Sequence, residues 1–426
     1  MIQTNSDLLE KEPIDVLIKY IDLTDKTLNR TGIHQIKKDF DNCELKYSVR
    51  SILQNIPWIR KIYILMPNER VSYFKPKEEI EDKIVYVKDK DVLGFDSENV
   101  NVFHYNLHNL KKFGLSENFI YMDDDYFIGQ PINKNEMFYE ENGKIYPAII
   151  TSDYYEMKKD LLIQQRIDIN KKRDSEDPHS SSGYRIMRKN SLLFLYDIFG
   201  DDNIRYGKKL IEPDFCHNAI PMKISDIEEI YKYIKNYYEH AYIILNEKER
   251  SSYDLQYQSL YWAFVKNKYN RKVYKISSEY YDISQSNKVL ENKKRLFVIN
   301  TSTKDYHPIY FYKEREVLGR LFPTKTKYEL DEEDQKDKKQ SIESKIINEP
   351  IINSFVNELN KNLKIDYEKI LSNIQINKTK NLSEGKIYAK LLMGEIKSMK
   401  EFCFWHEIFN YFLISFFVLM IVFRYF

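Results

Sequence analysis

Charged side chains that fall directly after apolar runs are the first candidates for chemistry. Asp123-Asp124-Asp125 follows Phe119-Ile120-Tyr121-Met122 with nothing between. Carboxylates at a strand end hold Mg2+ or Mn2+ as hard oxygen ligands, while the cation fills its shell from phosphate and water. A sugar nucleotide needs such a cation, because its diphosphate charge must be masked before a nucleophile approaches. The plainer alternative is an acidic turn left to solvent. Arg250 lies in Glu249-Arg250-Ser251-Ser252-Tyr253-Asp254-Leu255-Gln256, read as the opening of a helix capped by Ser251 or Ser252. An arginine beside a helix N-terminus makes a phosphate site, although arginine is also common at helix starts. His217 stands alone between Phe215-Cys216 and Asn218-Ala219-Ile220-Pro221. His104 and His108, four apart on a predicted helix, share a face, but two ligands do not make a metal site. The glycosylation sequons at Asn300, Asn377 and Asn381 are expected to be chance.

The elements that must position these groups read as an α/β protein. Residues 14–21 (IDVLIKYI), 62–66, 84–87, 119–122 and 296–299 read as strands, and 44–56 and 103–110 as helices. Strands separated by helical stretches predict a mostly parallel sheet flanked by helices. Ligands in such sheets sit beyond the carboxyl ends of the strands, where Asp22, Asn68 and Asp123–Asp125 all fall. Residues 151–180 are highly charged and read as an insertion, and 184–265 as helix-rich. Residues 329–345 are a mixed-charge linker and 346–400 a helical stalk.

The last stretch, 402–426, is apolar. From Ile408 to Phe423 only Asn410 and Ser415 are polar. A helix of that length spans roughly 24 Å, just short of a hydrocarbon core of about 30 Å. A tail anchor or an embedded monotopic helix is expected, the alternative being a buried terminal helix. Lys386, Lys390, Lys397 and Lys400 precede it and place the bulk of the chain on the cytoplasmic side. The polar opening MIQTNSDLLEKEP has no apolar core of a signal peptide. A secretory lumen is the alternative compartment.

Composition removes other classes. Among 426 residues, 66 Lys+Arg balance 65 Asp+Glu, so no basic field exists to hold nucleic acid. Neither GxGxxG nor GxxxxGK[ST] occurs, which removes the sequence case for a Rossmann dinucleotide site or a P-loop. Cys43, Cys216 and Cys403 lie far apart, so neither a zinc cage nor a disulfide framework is implied.

Four blocks, in this order, resemble the Stealth family of sugar-phosphate transferases, which includes bacterial capsule polymerases and the catalytic part of the lysosomal-enzyme GlcNAc-1-phosphotransferase. The first is Ile14-Asp15 to Asp22-Leu23-Thr24-Asp25. The second is the most specific: Asp41-Asn42-Cys43-Glu44-Leu45, Arg50-Ser51-Ile52, Pro57-Trp58, and then Gly114 through Asp123-Asp124-Asp125 to Gly129. The third holds Asn190, Phe199-Gly200, His217, Pro221 and Arg250 to Gln256. The fourth is Phe297 to Asn300 with Val317 to Pro323. Together they cover roughly residues 13–327. The resemblance implies a catalytic domain over 1–328 with a glycosyltransferase-like, Rossmann-type fold. It also implies transfer of a hexose-1-phosphate from a UDP-sugar to a hydroxyl of a glycan or glycoprotein acceptor, with release of UMP.

On that resemblance, Asp124 and Asp125 hold Mg2+ (or Mn2+), and Arg250 neutralises charge growing on the attacked phosphate. His217 is the general base and Asp254 orients Arg250 or His217. Asp22, Asp25, Asn42, Arg50, Asn68, His108, Gln256 and Asn300 contact substrate. Three departures stand out: Asp123 where the family has Asn, His104 where it has Glu, and Thr301 where it has Asp. The alternatives are a conventional metal-dependent glycosyltransferase that releases UDP, and an inactive membrane-bound paralogue. A homo-oligomeric state is left open.

Overall fold

A computed structural model describes residues 7–20, 43–67, 73–75, 77–95, 97, 99–151, 154–157, 164, 171, 177, 178, 180–203, 210–213, 218–300 and 309–330. In chain order its strands are β1 (Ile14–Lys19), β2 (Ile62–Met66), β3 (Ile84–Lys88), β4 (Asn118–Asp123), β5 (Tyr126–Ile128), β6 (Phe138–Glu141) and β7 (Lys144–Pro147). They continue with β8 (Ile149–Ile150), β9 (Tyr154–Met157), β10 (Leu210–Pro213), β11 (Ile220–Lys223), β12 (Val273–Tyr274), β13 (Ser278–Asp282) and β14 (Leu296–Asn300).

A five-stranded sheet in the order β11-β4-β1-β2-β3 carries the fold, and three of its four pairings are parallel. Every residue of β1 and β2 is buried, as is β4 up to Met122. Strands covered on both faces read as unbroken apolar runs, which is why the strands expected at 14–21, 62–66 and 119–122 are found, at 14–19, 62–66 and 118–123. The α/β class and the mostly parallel sheet agree with expectation. A smaller sheet, β13-β14-β5, begins directly after the Asp124-Asp125 turn.

The helix Glu44–Asn55 buries Leu45, Val49 and Ile52 at helical spacing and ends before Pro57. Its buried polar residues have a specific use. Ser48 Oγ donates to Tyr126 O (2.9 Å), Ser51 Oγ accepts from Ile128 N (3.1 Å), and Asn55 Nδ2 donates to Ile128 O (2.6 Å). The open edge of β5 is thus closed by helix side chains in place of another strand. The 100–106 segment is α-helical, but 107–113 tightens into a 3-10 helix that ends at Gly114, whose φ is +84°. The helix-rich stretch holds Ser181–Asn203, Ile224–Tyr237, Ala241–Asn246 and Tyr257–Tyr269, interrupted by β10 and β11.

The first compact unit comprises Met1–Tyr306 and Lys313–Leu330. Glu329, expected to open a solvated linker, is 2% exposed and ion-paired to Arg50. A second unit, His307–Tyr312 with Asp331–Phe426, lies outside the described residues except for the opening turn of the helix Ile309–Leu321. The rest of the linker, the stalk and the apolar tail lie outside the described residues, and so does most of the 151–180 insertion within the first unit. Among the described residues no helix is long and apolar enough to cross a membrane.

Candidate functional site

β4 delivers its last residue, Asp123, opposite Lys19 at the end of β1. Side chains two apart on a strand share a face, so Tyr121 and Asp123 lie together, and the Tyr121 hydroxyl donates to Asp123 Oδ1 at 2.5 Å. Asp123 is therefore held from below by a tyrosine. Asp124 and Asp125 follow as the half-exposed turn between β4 and β5. The backbone of that turn is tied to β14, where Ile299 N donates to Asp125 O (3.4 Å), which brings Asn300 beside it. Lys19 does not pair with Asp123. Its ammonium binds Asp89 (2.9 Å), donates to Tyr20 O and lies over the Phe103 ring, and both charged side chains are buried.

The segment carrying Arg250 is fastened from several elements. Ser97 Oγ donates to the carbonyls of Glu247 and Lys248, and Asn99 Nδ2 to that of Glu249. Asn190, on the helix Ser181–Asn203, donates to the carbonyls of Ser252 and Asp254. The Tyr238 hydroxyl reaches Tyr253 O, and that of Tyr105 both donates to Leu255 O and accepts from Leu255 N. Asp254, fully buried, is the hub. Its Oδ2 accepts from Asn99 (2.9 Å), Asn101 (3.3 Å) and Ser251 N (3.1 Å). Burial pushes its carboxyl up to about 6 despite these hydrogen bonds.

Within this mount Arg250 is half-buried, and no carboxylate among the described residues pairs with it. Asp254 accepts from the backbone N–H of Ser251, the residue after Arg250, and makes no bond to the Arg250 guanidinium. The expected helix start behind Arg250 is corrected. Asp254 captures Ser251 N and closes a turn, Tyr105 straightens the chain at Leu255, and the helix begins at Tyr257.

Gln256 is the N-cap of that helix: its Oε1 accepts from Ser259 N (2.7 Å). Its amide continues through Gln258 to the Tyr126 hydroxyl, each step 3.2 Å, which links the Arg250 segment back to β5. A capping role thus occupies the side chain expected to contact substrate. His104 packs edge-on to Tyr121 (4.6 Å) and flat on Tyr257 (5.3 Å), and burial lowers its pKa to about 4. Asp123, Arg250 and Lys19 all lie close enough to act on its charge. His104 is thus the point around which the Asp123 turn and the Arg250 segment meet.

Other expected residues fall elsewhere. His108 sits on the 3-10 stretch against Tyr231 (4.7 Å), so the tightened backbone removes the shared face with His104. Arg50 is clamped by both oxygens of Glu329 (2.8 and 2.6 Å) and donates to Phe322 O, so its donor face is spent on the fold. Asp22, Asp25, Asn42, Asn68 and His217 lie outside the described residues, and so does Thr301. Among the described residues no group of three or more His, Cys, Asp or Glu is placed to hold a metal. Sequence reasoning missed Ser97, Asn99, Asn101 and Tyr105. The run Ser97-Glu98-Asn99-Val100-Asn101 was the one local signal.

The Stealth protein CR2 (conserved region 2) family model matches residues 38–146. A capsular polysaccharide phosphotransferase of Actinobacillus suis is 26% identical over 319 residues, 70% of this chain and 75% of the relative. One from Haemophilus influenzae is 26% identical over 306 residues, 67% of this chain and 74% of the relative. A third, LcbA of Neisseria meningitidis, is 35% identical over 103 residues, 24% of this chain and 27% of the relative. Among solved structures, the galactosyltransferase LgtC in complex with donor and acceptor sugar analogs is 10% identical, with a TM-score of 0.31, over 75% of this chain and 98% of that one. The region that resembles Stealth conserved region 2 contains the Asp123–Asp125 turn, and the two longer alignments to capsular polysaccharide phosphotransferases run over two thirds of the chain.

Proposed function

We propose that the protein transfers a hexose-1-phosphate from a UDP-sugar to a hydroxyl of a glycan acceptor. The acceptor oxygen attacks the phosphorus that bears the sugar. The new P–O bond makes a phosphodiester, the bridge to the second phosphate breaks, UMP leaves with the bond electrons, and the hydroxyl proton passes to a base. The observation that supports this reading is Arg250, which has no carboxylate partner among the described residues and rides on a segment fastened by Ser97, Asn99, Asn190, Tyr105 and Tyr238, while both it and Asp123 act on the charge of His104. Positioning and charge neutralisation dominate phosphoryl transfer, and a planar guanidinium suits phosphate oxygens. Asp254 acts as a positioning residue for it. His217 is the proposed base, its unperturbed pKa of about 6.5 lying near working pH.

The donor set fits a divalent cation, since Mg2+ is commonly held by one or two carboxylates and completes its shell with phosphate and water. Asp124 and Asp125 would hold it, and when bound it would mask the donor diphosphate. The apolar stretch 402–426 is proposed as the membrane attachment that brings the enzyme to a lipid-borne acceptor.

The test incubates the full chain with Mg2+, a panel of UDP-sugars and simple sugar acceptors, and identifies the nucleotide formed. UMP, lost in Asp124→Asn and His217→Ala, is expected. UDP would assign a conventional glycosyltransferase, and neither nucleotide would leave an inactive paralogue.

A further inference from the structure

His104 is a buried residue with nothing to bind. It is 3% exposed, and neither Nδ1 nor Nε2 has a hydrogen-bond partner. The hydroxyl of Tyr257, on which it stacks at an interplanar angle of 10°, is equally without a partner. Buried polar atoms are nearly always satisfied, and each exception asks for a cause. Packing is not that cause. Phenylalanine would fill the same slot between Tyr121 and Tyr257 and strand no nitrogen. The position is also not a neutral one, since Asp123 and Arg250 both act on this ring.

We propose that His104 is a positioning residue of the transfer centre, whose imidazole N–H donates to the Asp123 carboxylate once substrate is loaded. The inference rests on the transfer reading above. In the free protein Asp123 Oδ1 is engaged by the Tyr121 hydroxyl, and His104 packs against the ring of that same tyrosine. A carboxylate accepts several hydrogen bonds, so a second donor from His104 would fix the rotation of Asp123 and with it the turn that presents Asp124 and Asp125. The ring stays neutral in this role, because an N–H and not a positive charge is what the carboxylate needs. Pre-organising a turn in this way acts on the rate of the chemical step more than on donor affinity.

The experiment compares wild type, His104→Leu and His104→Gln in the full chain, using the UDP-sugar that wild type consumes, and reads kcat, donor KM and Tm. Leucine removes the stranded nitrogens, so Tm is expected to hold or rise. The kcat should fall by roughly ten- to a hundredfold, with donor KM within about threefold. Glutamine, whose amide can donate to Asp123, should restore most of kcat. A wild-type kcat in His104→Leu would overturn the proposal. So would a fall of Tm in both variants with kcat per folded molecule preserved, since that marks a structural histidine. If wild type releases no UMP from any donor, the transfer reading fails first and this role fails with it.

Discussion

The two ends of β1 and β4 make a controlled comparison, because the same pair of strands carries both. At the entry end Asp15 is fully buried and every donor around it is spent: Arg60 Nε (2.9 Å) and Nη2 (2.5 Å), Lys61 N (3.0 Å) and Ser116 N (2.7 Å). Ser116 returns the favour by accepting from Asp15 N and donating to Asn118 O. Towards the exit end, among the described residues, Arg250 has no carboxylate partner, neither ring nitrogen of His104 has a hydrogen-bond partner and Asp254 Oδ1 has no donor. A folding-only optimum would resemble the first end. The difference lies in the ionisable groups and not in every buried polar atom, since Asn118 Oδ1 at the entry end is also without a partner: the Asp15 carboxylate is answered by donors on every side, and the titratable groups towards the exit end are not.

The largest effect that tests this contrast is at Arg250. Arg250→Ala should cut sugar-phosphate transfer by roughly 10²–10³-fold, the usual cost of removing one transition-state donor, and leave Tm close to wild type. A large loss of Tm would place Arg250 in the saturated class and break the comparison. Next is Asp15→Ala, which strands two backbone N–H groups and one guanidinium and should cost about 3 kcal/mol in urea unfolding. Its transfer rate per folded molecule should be unchanged. The smallest effect is at Gln256, where loss of the cap should cost about 1 kcal/mol. A change in donor KM there well beyond that expected from stability would return Gln256 to the substrate-contact role its geometry argues against.

What was readable in the sequence follows physical locality. β1, β2 and β4 are contiguous apolar runs with polar or proline punctuation, so their type was legible and their boundaries were legible to within two residues. The Asp123–Asp125 turn inherited that legibility from β4. The mount of Arg250 was not legible, because its hydrogen bonds join residues about 150 positions apart, as Asn99 and Tyr105 do with Asp254 and Leu255. Ser251-Ser252 looks like a helix cap, and only the fold reveals that Asp254 takes the N–H such a cap would need. Arg50 fails in the same way: its partner Glu329 is 279 residues away, in a run whose charge pattern reads as solvated. His104 stood out in sequence only through its spacing to His108, the one relation the 3-10 stretch then removes.

The burial of Asp254 and His104 has a consequence for the acid response of the fold. Asp254 keeps its proton up to about pH 6, whereas an exposed aspartate releases it near 3.8. His104 refuses a proton down to about pH 4, whereas an exposed histidine accepts one near 6.5. Taken singly, Asp254 loses its stabilising contribution as pH rises from 3.8 to 6, and His104 loses its own as pH falls from 6.5 to 4. Through the shared window the folded chain carries its one proton on Asp254 and the unfolded chain carries its one proton on the histidine. Unfolding then exchanges no net proton at these two sites, and their opposing slopes cancel. Urea midpoints at about pH 4.5 and about pH 6 should expose each half. His104→Gln should weaken as pH rises, Asp254→Asn should strengthen, and each slope should approach about 1.4 kcal/mol per pH unit. Asp254 and His104 thereby act as a matched acid and base, and between about pH 4 and about pH 6 their joint contribution leaves the stability of the fold nearly independent of pH.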